Sequence, residues 1–163
     1  MDMVLNNWIK SEKNKFSFFF CGDYGVVITY TVKECLDTNK LEVYKLNTNS
    51  VSDTSSITKE YNRITHEIET YSNINLYDEF NNNDEYNISP ESIKFIIYID
   101  QNEYFSLLND KILIKTLILL NNNYMEEVKK NKINQEVLMI FVCNDTENIY
   151  SSVEKYSDKI EIP

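Results

Sequence analysis

Residues 16–29 read FSFFFCGDYGVVIT, and this stretch decides the fold. An apolar run ends at Cys21, two glycines follow it, and a segment with helical spacing of apolar residues comes next. Gly22 and Gly25 are the only glycines among 163 residues. Because glycine is used where the backbone takes positive φ or approaches another group closely, this pair at a strand-to-helix junction predicts a phosphate-binding loop.

The chemistry of that loop is altered. Residues 22–29 lie where a working loop reads G-x-x-x-x-G-K-T, with Val27 at the second glycine and Ile28 at the lysine. Thr29 keeps the hydroxyl of the pattern, whereas Asp23 adds a negative charge beside the expected phosphate position. Since an aliphatic side chain offers phosphate no charge, the stretch predicts a loop that keeps its shape and loses its function.

Short apolar runs alternate with helical stretches over the rest of the chain, which predicts an α/β three-layer sandwich with a mainly parallel, five-stranded sheet. The predicted strands cover residues 16–21, 41–47, 93–100, 136–144 and 159–162. The predicted helices cover residues 28–39, 55–73, 104–130 and 148–155, and the third is expected to break near residues 121–123.

Two further segments have a distinct composition. Residues 74–92 contain an Asn run, acidic residues and Ser89-Pro90, and are predicted to form an acidic, Asn-rich surface loop. The start of the chain, residues 1–10, is amphipathic, and either caps the sheet or docks on a partner. Capping is the preferred interpretation.

Composition limits the function classes. Hydrophobic content of 42% and a length of 163 residues predict one domain, residues 1–163, with a real core. A net charge of −10 argues against a nucleic-acid surface and suits protein partners. The cysteines lie in apolar contexts and His66 is the only histidine, so we expect buried thiols, no zinc site and a reducing compartment, nucleus or cytoplasm. No signal peptide or membrane span is predicted.

Three features follow one another in the order expected of a nucleotide-binding α/β core. The glycine loop follows the first strand, Asp100-Gln101 ends an apolar strand, and Asn144 ends another. Ligands of open α/β sheets bind at the carboxyl ends of the strands. Each feature alone is ordinary turn chemistry, but together they predict one site.

On these residues the sequence resembles the AAA+ ATPase family. Asp100-Gln101 is similar to the Walker B Asp-Glu pair, and Asn144 to the sensor-1 asparagine. Residues 5–10, 41–51 and 142–145 are similar to segments of the large subunit of replication factor C-type clamp loaders. The resemblance implies a P-loop-type sheet with strand order 5-1-4-3-2. The helical lid that follows this core in the family is expected to be absent.

The departures from the family pattern decide the expected function. Gln101 replaces the Walker B glutamate, and a glutamine orients water but does not accept its proton as a general base. Arg63 is the only arginine, so residues 156–159 lack the finger that related subunits carry. We therefore expect a non-catalytic scaffold or interaction subunit of a replication or clamp-loader-like assembly. The implied partners are protein subunits, such as AAA+ subunits or a sliding clamp, with no cofactor and no direct nucleic-acid binding.

Two other functions remain compatible with the sequence. One is a nucleotide-responsive switch or weak ATPase, completed by a partner subunit, in which Thr29 and Asp100 hold Mg²⁺ with weakly bound ATP. The other is an α/β protein–protein interaction module without ATPase ancestry, which a different strand order would favour. The vestigial nucleotide-binding residues are predicted to be Gly22, Gly25, Ile28, Thr29, Asp100, Gln101 and Asn144, with no catalytic residue among them.

Overall fold

The structure is a computed structural model that describes residues 2–11, 13–22, 25–39, 41–47, 51–82, 93–101, 103–108, 110–133, 135–143 and 147–161. The helices are α1 (Asp2–Lys10), α2 (Gly25–Thr38), α3 (Thr54–Asn82), α4 (Phe105–Leu108), α5 (Lys111–Lys130) and α6 (Glu147–Val153). The strands are β1 (Ser17–Cys21), β2 (Glu42–Tyr44), β3 (Ile93–Asp100), β4 (Gln135–Cys143) and β5 (Ser157–Glu161).

The five strands form one sheet in the order β2-β3-β4-β1-β5, and every neighbouring pair is parallel. This is the predicted order 5-1-4-3-2 read from the other edge, so the predicted fold class and strand order are confirmed. The strands in the middle of the sheet are nearly continuous runs of buried apolar residues, as expected of a parallel sheet covered on both faces.

Helices cover both faces of the sheet. Successive side chains of a strand point to opposite faces, and Phe18 and Phe19 mark the two sides of β1. The ring of Phe18 meets Trp8 of α1 at a centroid distance of 5.2 Å, and α2 packs beside α1. The ring of Phe19 meets Tyr150 of α6 at 5.7 Å, and α5 packs against both α3 and α6. These contacts make the three layers.

The N-terminal helix α1 caps the sheet by packing on it, which is the interpretation preferred for the amphipathic start. Leu5, Trp8 and Ile9 are buried, whereas Val4 is exposed. The indole Nε1 of Trp8 also donates a hydrogen bond to Oδ2 of Asp158, 3.2 Å away. The apolar face of α1 is therefore buried against the domain itself.

Helix α3 is longer than the sequence predicted. It continues to Asn82, so residues 74–82, which were predicted to lie in a loop, are helical. Ile74, Tyr77 and Phe80 recur every three residues, and this helical spacing was outweighed by the neighbouring asparagines. The rest of the predicted loop, residues 83–92, lies outside the described residues.

The expected break near residues 121–123 is also wrong, because α5 runs through them. Asn121 is fully buried and makes two core hydrogen bonds: its Nδ2 donates to the carbonyl of Val137 at 3.0 Å, and its Oδ1 accepts from the Tyr61 hydroxyl at 2.8 Å. The helix instead begins after Asp110, whose Oδ1 accepts from two amides of the first turn.

Several other bounds shift by a few residues. Helix α2 begins at Gly25 rather than residue 28, β2 is only three residues long, and β5 starts at Ser157 rather than residue 159. Within the described part of the chain, every helix is too short or too polar to span a bilayer.

Candidate functional site

Three strands bring three described members of the predicted site, Gly22, Asp100 and Gln101, to one edge of the sheet. The neighbouring strands β3, β4 and β1 end at Asp100, Cys143 and Cys21. The amide of Gln101 donates to the carbonyl of Val142 at 2.8 Å, and the amide of Gly22 donates to the carbonyl of Cys143 at 3.3 Å. These hydrogen bonds continue the sheet one step beyond its strands and fix the start of each loop.

Thr29 and Asp100 meet at this edge. Thr29 lies near the start of α2, and its hydroxyl donates to Oδ2 of Asp100 over 2.5 Å. Asp100 itself is only 1% exposed. Hydroxyl and carboxyl oxygens are the ligand type that Mg²⁺ takes, so the pair is compatible with the nucleotide-responsive alternative, in which these two residues hold the ion. The two residues predicted to share a metal are therefore in direct contact.

Tyr98 is a third member of the cluster, and sequence reasoning missed it. Its hydroxyl donates to the same Oδ2 of Asp100 at 2.8 Å, and the residue is 1% exposed. Burial raises the pKa of Tyr98, and its hydrogen bond to Asp100 raises that pKa further, so the phenol stays protonated and donates. The available signal was its position two residues before Asp100, which puts both side chains on one face of β3.

Charged residues lie near the cluster. The ammonium of Lys33, on α2, is 5.7 Å from the ring centroid of Tyr98 and 3.6 Å from Oε1 of Glu103. Lys45 lies 3.1 Å from the same oxygen. All three side chains are well exposed, so their ion pairs contribute little to stability. Lys33 and Lys45 thus place two positive charges at this edge of the sheet, which the sequence pattern did not predict.

The glycine pair is used differently from the prediction. Both glycines lie in the described part of the chain, and neither takes positive φ. Gly25 is the first residue of α2, so only residues 22–24 connect that helix to β1. Gly22 donates the sheet-type hydrogen bond to Cys143, which any residue other than proline could make. The side chain of Ile28 and all of Asn144 lie outside the described residues.

The single arginine, Arg63, lies on α3 and pairs with two glutamates of the same helix. Its Nη1 lies 2.7 Å from Oε1 of Glu67, and its Nε donates a hydrogen bond to Oε1 of Glu60. Glu60 is buried and also accepts the amide of Asn47 at 2.5 Å. Glu60 therefore joins α3 to the segment after β2, and Arg63 is paired with it from the same helix.

A metal centre of another kind has no candidate in the described ranges, where no three His, Cys, Asp or Glu side chains come together. His66 is exposed on α3, as its place off the apolar stripe predicted. All three cysteines are buried, as their apolar contexts predicted.

Neither the models of known protein families nor the curated proteins match this sequence. Among solved structures, the chain is similar to one described as "Structure of Drosophila ORC bound to DNA", with a TM-score of 0.49 and 10% sequence identity. The alignment covers 99% of this chain and 28% of that chain. A likeness of this size carries no conclusion about activity, and the fold assignment rests on strand order and register.

Proposed function

We propose that this domain is a non-catalytic, AAA+-like scaffold or interaction subunit. The observation that carries the proposal is the state of Asp100, which is buried and accepts hydrogen bonds from both Thr29 and Tyr98 on one oxygen. Mg²⁺ bound at that oxygen would displace the two donors, and the loss of these buried hydrogen bonds would oppose binding there. In this proposal, the hydrogen bond from Thr29 to Asp100 holds α2 against β3 instead of positioning an ion.

The sequence of the loop supports the same function. Ile28 supplies no charge where a lysine would meet phosphate, and Gln101 supplies no general base. Loss of one pre-organised electrostatic group costs an active site on the order of 3 kcal/mol of transition-state stabilisation. Because these changes bear on one reaction, we expect no significant hydrolysis.

Protein subunits are the proposed partners. The net charge of −10 favours basic protein surfaces over nucleic acid. The motif resemblance to clamp-loader large subunits extends the proposal to a replication or repair assembly inside the cell. Affinity capture from the native source tests this extension, with a sliding clamp or clamp-loader subunits as the expected products.

Nucleotide titration tests the central claim. We expect millimolar ATP with Mg²⁺ to leave the melting temperature unchanged. A ligand present at a hundred times its Kd would add about 2.7 kcal/mol of stability, so binding of that strength would be detected. Calorimetry under the same conditions should show no heat of binding. Micromolar affinity accompanied by phosphate release would overturn the proposal.

A nucleotide-responsive switch is the second candidate, because Thr29 and Asp100 bring a hydroxyl and a carboxyl oxygen, the ligand types of Mg²⁺, to one place at this edge of the sheet. Matched variants distinguish the two functions. For a switch, ATP with Mg²⁺ stabilises the wild type and Thr29→Ser, but not Thr29→Val, which lacks the hydroxyl. For a scaffold, none of the three responds. The third possibility, a module without ATPase ancestry, would have been favoured by a different strand order, and the order found is 5-1-4-3-2.

A further inference from the structure

A cleft of about 640 Å³ opens at the opposite edge of the sheet, where β3 and β4 begin. The ends of α1 and α5 contribute Lys10 and Lys129, and β3 contributes Lys94. Its volume lies within the range of about 300–1,000 Å³ that ligand sites occupy. The cleft is separate from the Asp100 edge, so its occupancy does not depend on whether nucleotide binds there.

The cleft is positively charged in an acidic chain. Lys10, Lys94 and Lys129 line it, and Glu136 is the one carboxylate among the described lining residues. Glu136 is already paired: its Oε2 lies 3.2 Å from the ammonium of Lys13 and 3.9 Å from that of Lys94. The chain as a whole carries a net charge of −10. The described part of this cleft therefore concentrates positive charge.

The charges also repel one another. The Lys13 side chain is only 5% exposed beneath the cleft, and burial lowers its pKa. Glu136 opposes that change, whereas the neighbouring charges of Lys94 and Lys129 add to it. A further anion placed among these ammonium groups would relieve their repulsion.

These lysines have a structural role as well. Lys13 and Lys94 both donate to the carbonyl of Ile9 at the end of α1, and Lys129 donates to the carbonyl of Lys13 at 2.5 Å. Carbonyl dipoles at a helix C-terminus offset only part of a unit charge. An ammonium group has three donors. Lys13 uses all of its own, whereas Lys94 and Lys129 retain capacity for an anion.

Apolar side chains form the rest of the wall. Leu41, Met125, Val128 and Ile133 lie beside the lysines, and Ile133 is 52% exposed. We propose that this cleft binds an acidic peptide segment of a protein partner, with carboxylates on the lysines and an aliphatic or aromatic side chain against this wall. Nucleic acid fits less well, because the described lining contains no aromatic side chain on which bases stack.

Fluorescence anisotropy with a labelled peptide tests the proposal. The probe is fluorescein-Asp-Leu-Asp-Asp-Phe-Asp, and its control is the same peptide with asparagine in place of aspartate. We expect the acidic probe to bind and the neutral one to bind at least about fivefold more weakly, since about 1 kcal/mol corresponds to fivefold. Failure of the acidic probe to bind the wild-type protein would overturn the proposal.

Variants of the protein locate the site. Lys10 is exposed and should tolerate Lys10→Glu, which we expect to weaken the acidic probe at least about fivefold. Ile133→Ser should also weaken it, through the apolar wall. Lys111→Glu is the matched control, because Lys111 is exposed at the other end of α5 from Lys129, and the affinity should not change. Circular dichroism verifies that each variant is folded.

Other outcomes contradict the proposal. Equal affinity of Lys10→Glu, Ile133→Ser and wild type would show that the probe binds elsewhere. Displacement of the probe by millimolar inorganic phosphate at constant ionic strength would assign the cleft to a small anion. Tighter binding of a single-stranded oligonucleotide, lost in Lys10→Glu, would assign it to nucleic acid.

Discussion

The hydroxyl of Tyr98 donates a hydrogen bond to Oδ2 of Asp100, two positions further along β3, over 2.8 Å. The same oxygen accepts from Thr29 of α2. One buried carboxyl group thus connects the sheet to the helix that begins at Gly25.

Removing the Tyr98 hydroxyl should destabilise the domain. We expect Tyr98→Phe to lower the free energy of unfolding by about 1–2 kcal/mol, since a buried hydrogen bond to Asp100 is lost while the ring is kept. Urea denaturation measures the change. Tyr30→Phe is the control, because Tyr30 is 69% exposed and its hydroxyl should contribute little. Equal effects of the two substitutions would contradict the contact.

Asn121 should be far more sensitive than its neighbours in the asparagine run. Asn121→Ala leaves the Tyr61 hydroxyl and the Val137 carbonyl without their partner in the core, and should cost about 2–4 kcal/mol in the free energy of unfolding. Asn123→Ala, on the exposed face of α5, should change stability by no more than about 0.5 kcal/mol. A destabilisation by Asn121→Ala as small as that of Asn123→Ala would show that the amide is not bonded as described.

Stability should fall in alkali. Burial raises the pKa of Tyr104 to about 12, with the charge of Glu103 adding to the effect, and burial likewise raises that of Tyr124 to about 12. In the unfolded chain both phenols titrate near about pH 10. Between about pH 10 and about pH 12 the unfolded chain has lost protons that the folded domain retains, so the free energy of unfolding decreases.

Urea denaturation at several pH values measures that slope, and tyrosinate absorbance follows the titration directly. Tyr124→Phe should make the slope shallower, because one of the shifted phenols is then missing. A slope that stays unchanged in this variant would contradict the assignment.

Cys21 and Cys143 should form a disulfide under mild oxidation. They are paired positions at the ends of β1 and β4, and the rings of Phe19 and Phe141, two residues earlier, stack at a centroid distance of 4.5 Å. Paired side chains of these strands therefore lie on one face. Strands lie about 4.8 Å apart, within the range of about 4.4–6.8 Å between the Cα atoms of disulfides.

Mass spectrometry after treatment with diamide measures the crosslink as a loss of two hydrogens within one chain. Cys143→Ser should abolish it, whereas Cys35→Ser should leave it unchanged, since Cys35 lies on α2 beside Asn6. A crosslink that involves Cys35 instead would contradict the register of β1 and β4.

The sequence predicted what depends on regular patterns. The central strands were found because their apolar runs are bounded by turn residues, and the order followed from the family resemblance. Asp100 was found because it follows the glycine loop and precedes Asn144 in the order expected of a nucleotide-binding core, and Thr29 because of its spacing from the glycines. Its direct contact with Asp100 was expected only as a shared metal site.

What the sequence did not predict depends on tertiary contacts. Asn121 disfavours a helix by local propensity, but two buried partners satisfy its amide and α5 continues through it. Tyr98 resembled any other core aromatic until its hydroxyl was found on Asp100. The lysine cleft combines Lys10, Lys94 and Lys129, which are distant in sequence, so no local pattern could indicate it.

The place of β1 in the sheet has a consequence for biosynthesis. Ser17 pairs with Met139 on one side and Ser157 on the other, so both neighbours of this strand are synthesised long after it. Until then the phenylalanines of β1 have no sheet to enter, and closure of such distant pairs is slow. A ribosome-bound nascent chain of this protein would therefore expose an aggregation-prone hydrophobic segment for most of its translation. Chaperones that bind exposed aromatic residues are expected to bind the chain at this stage.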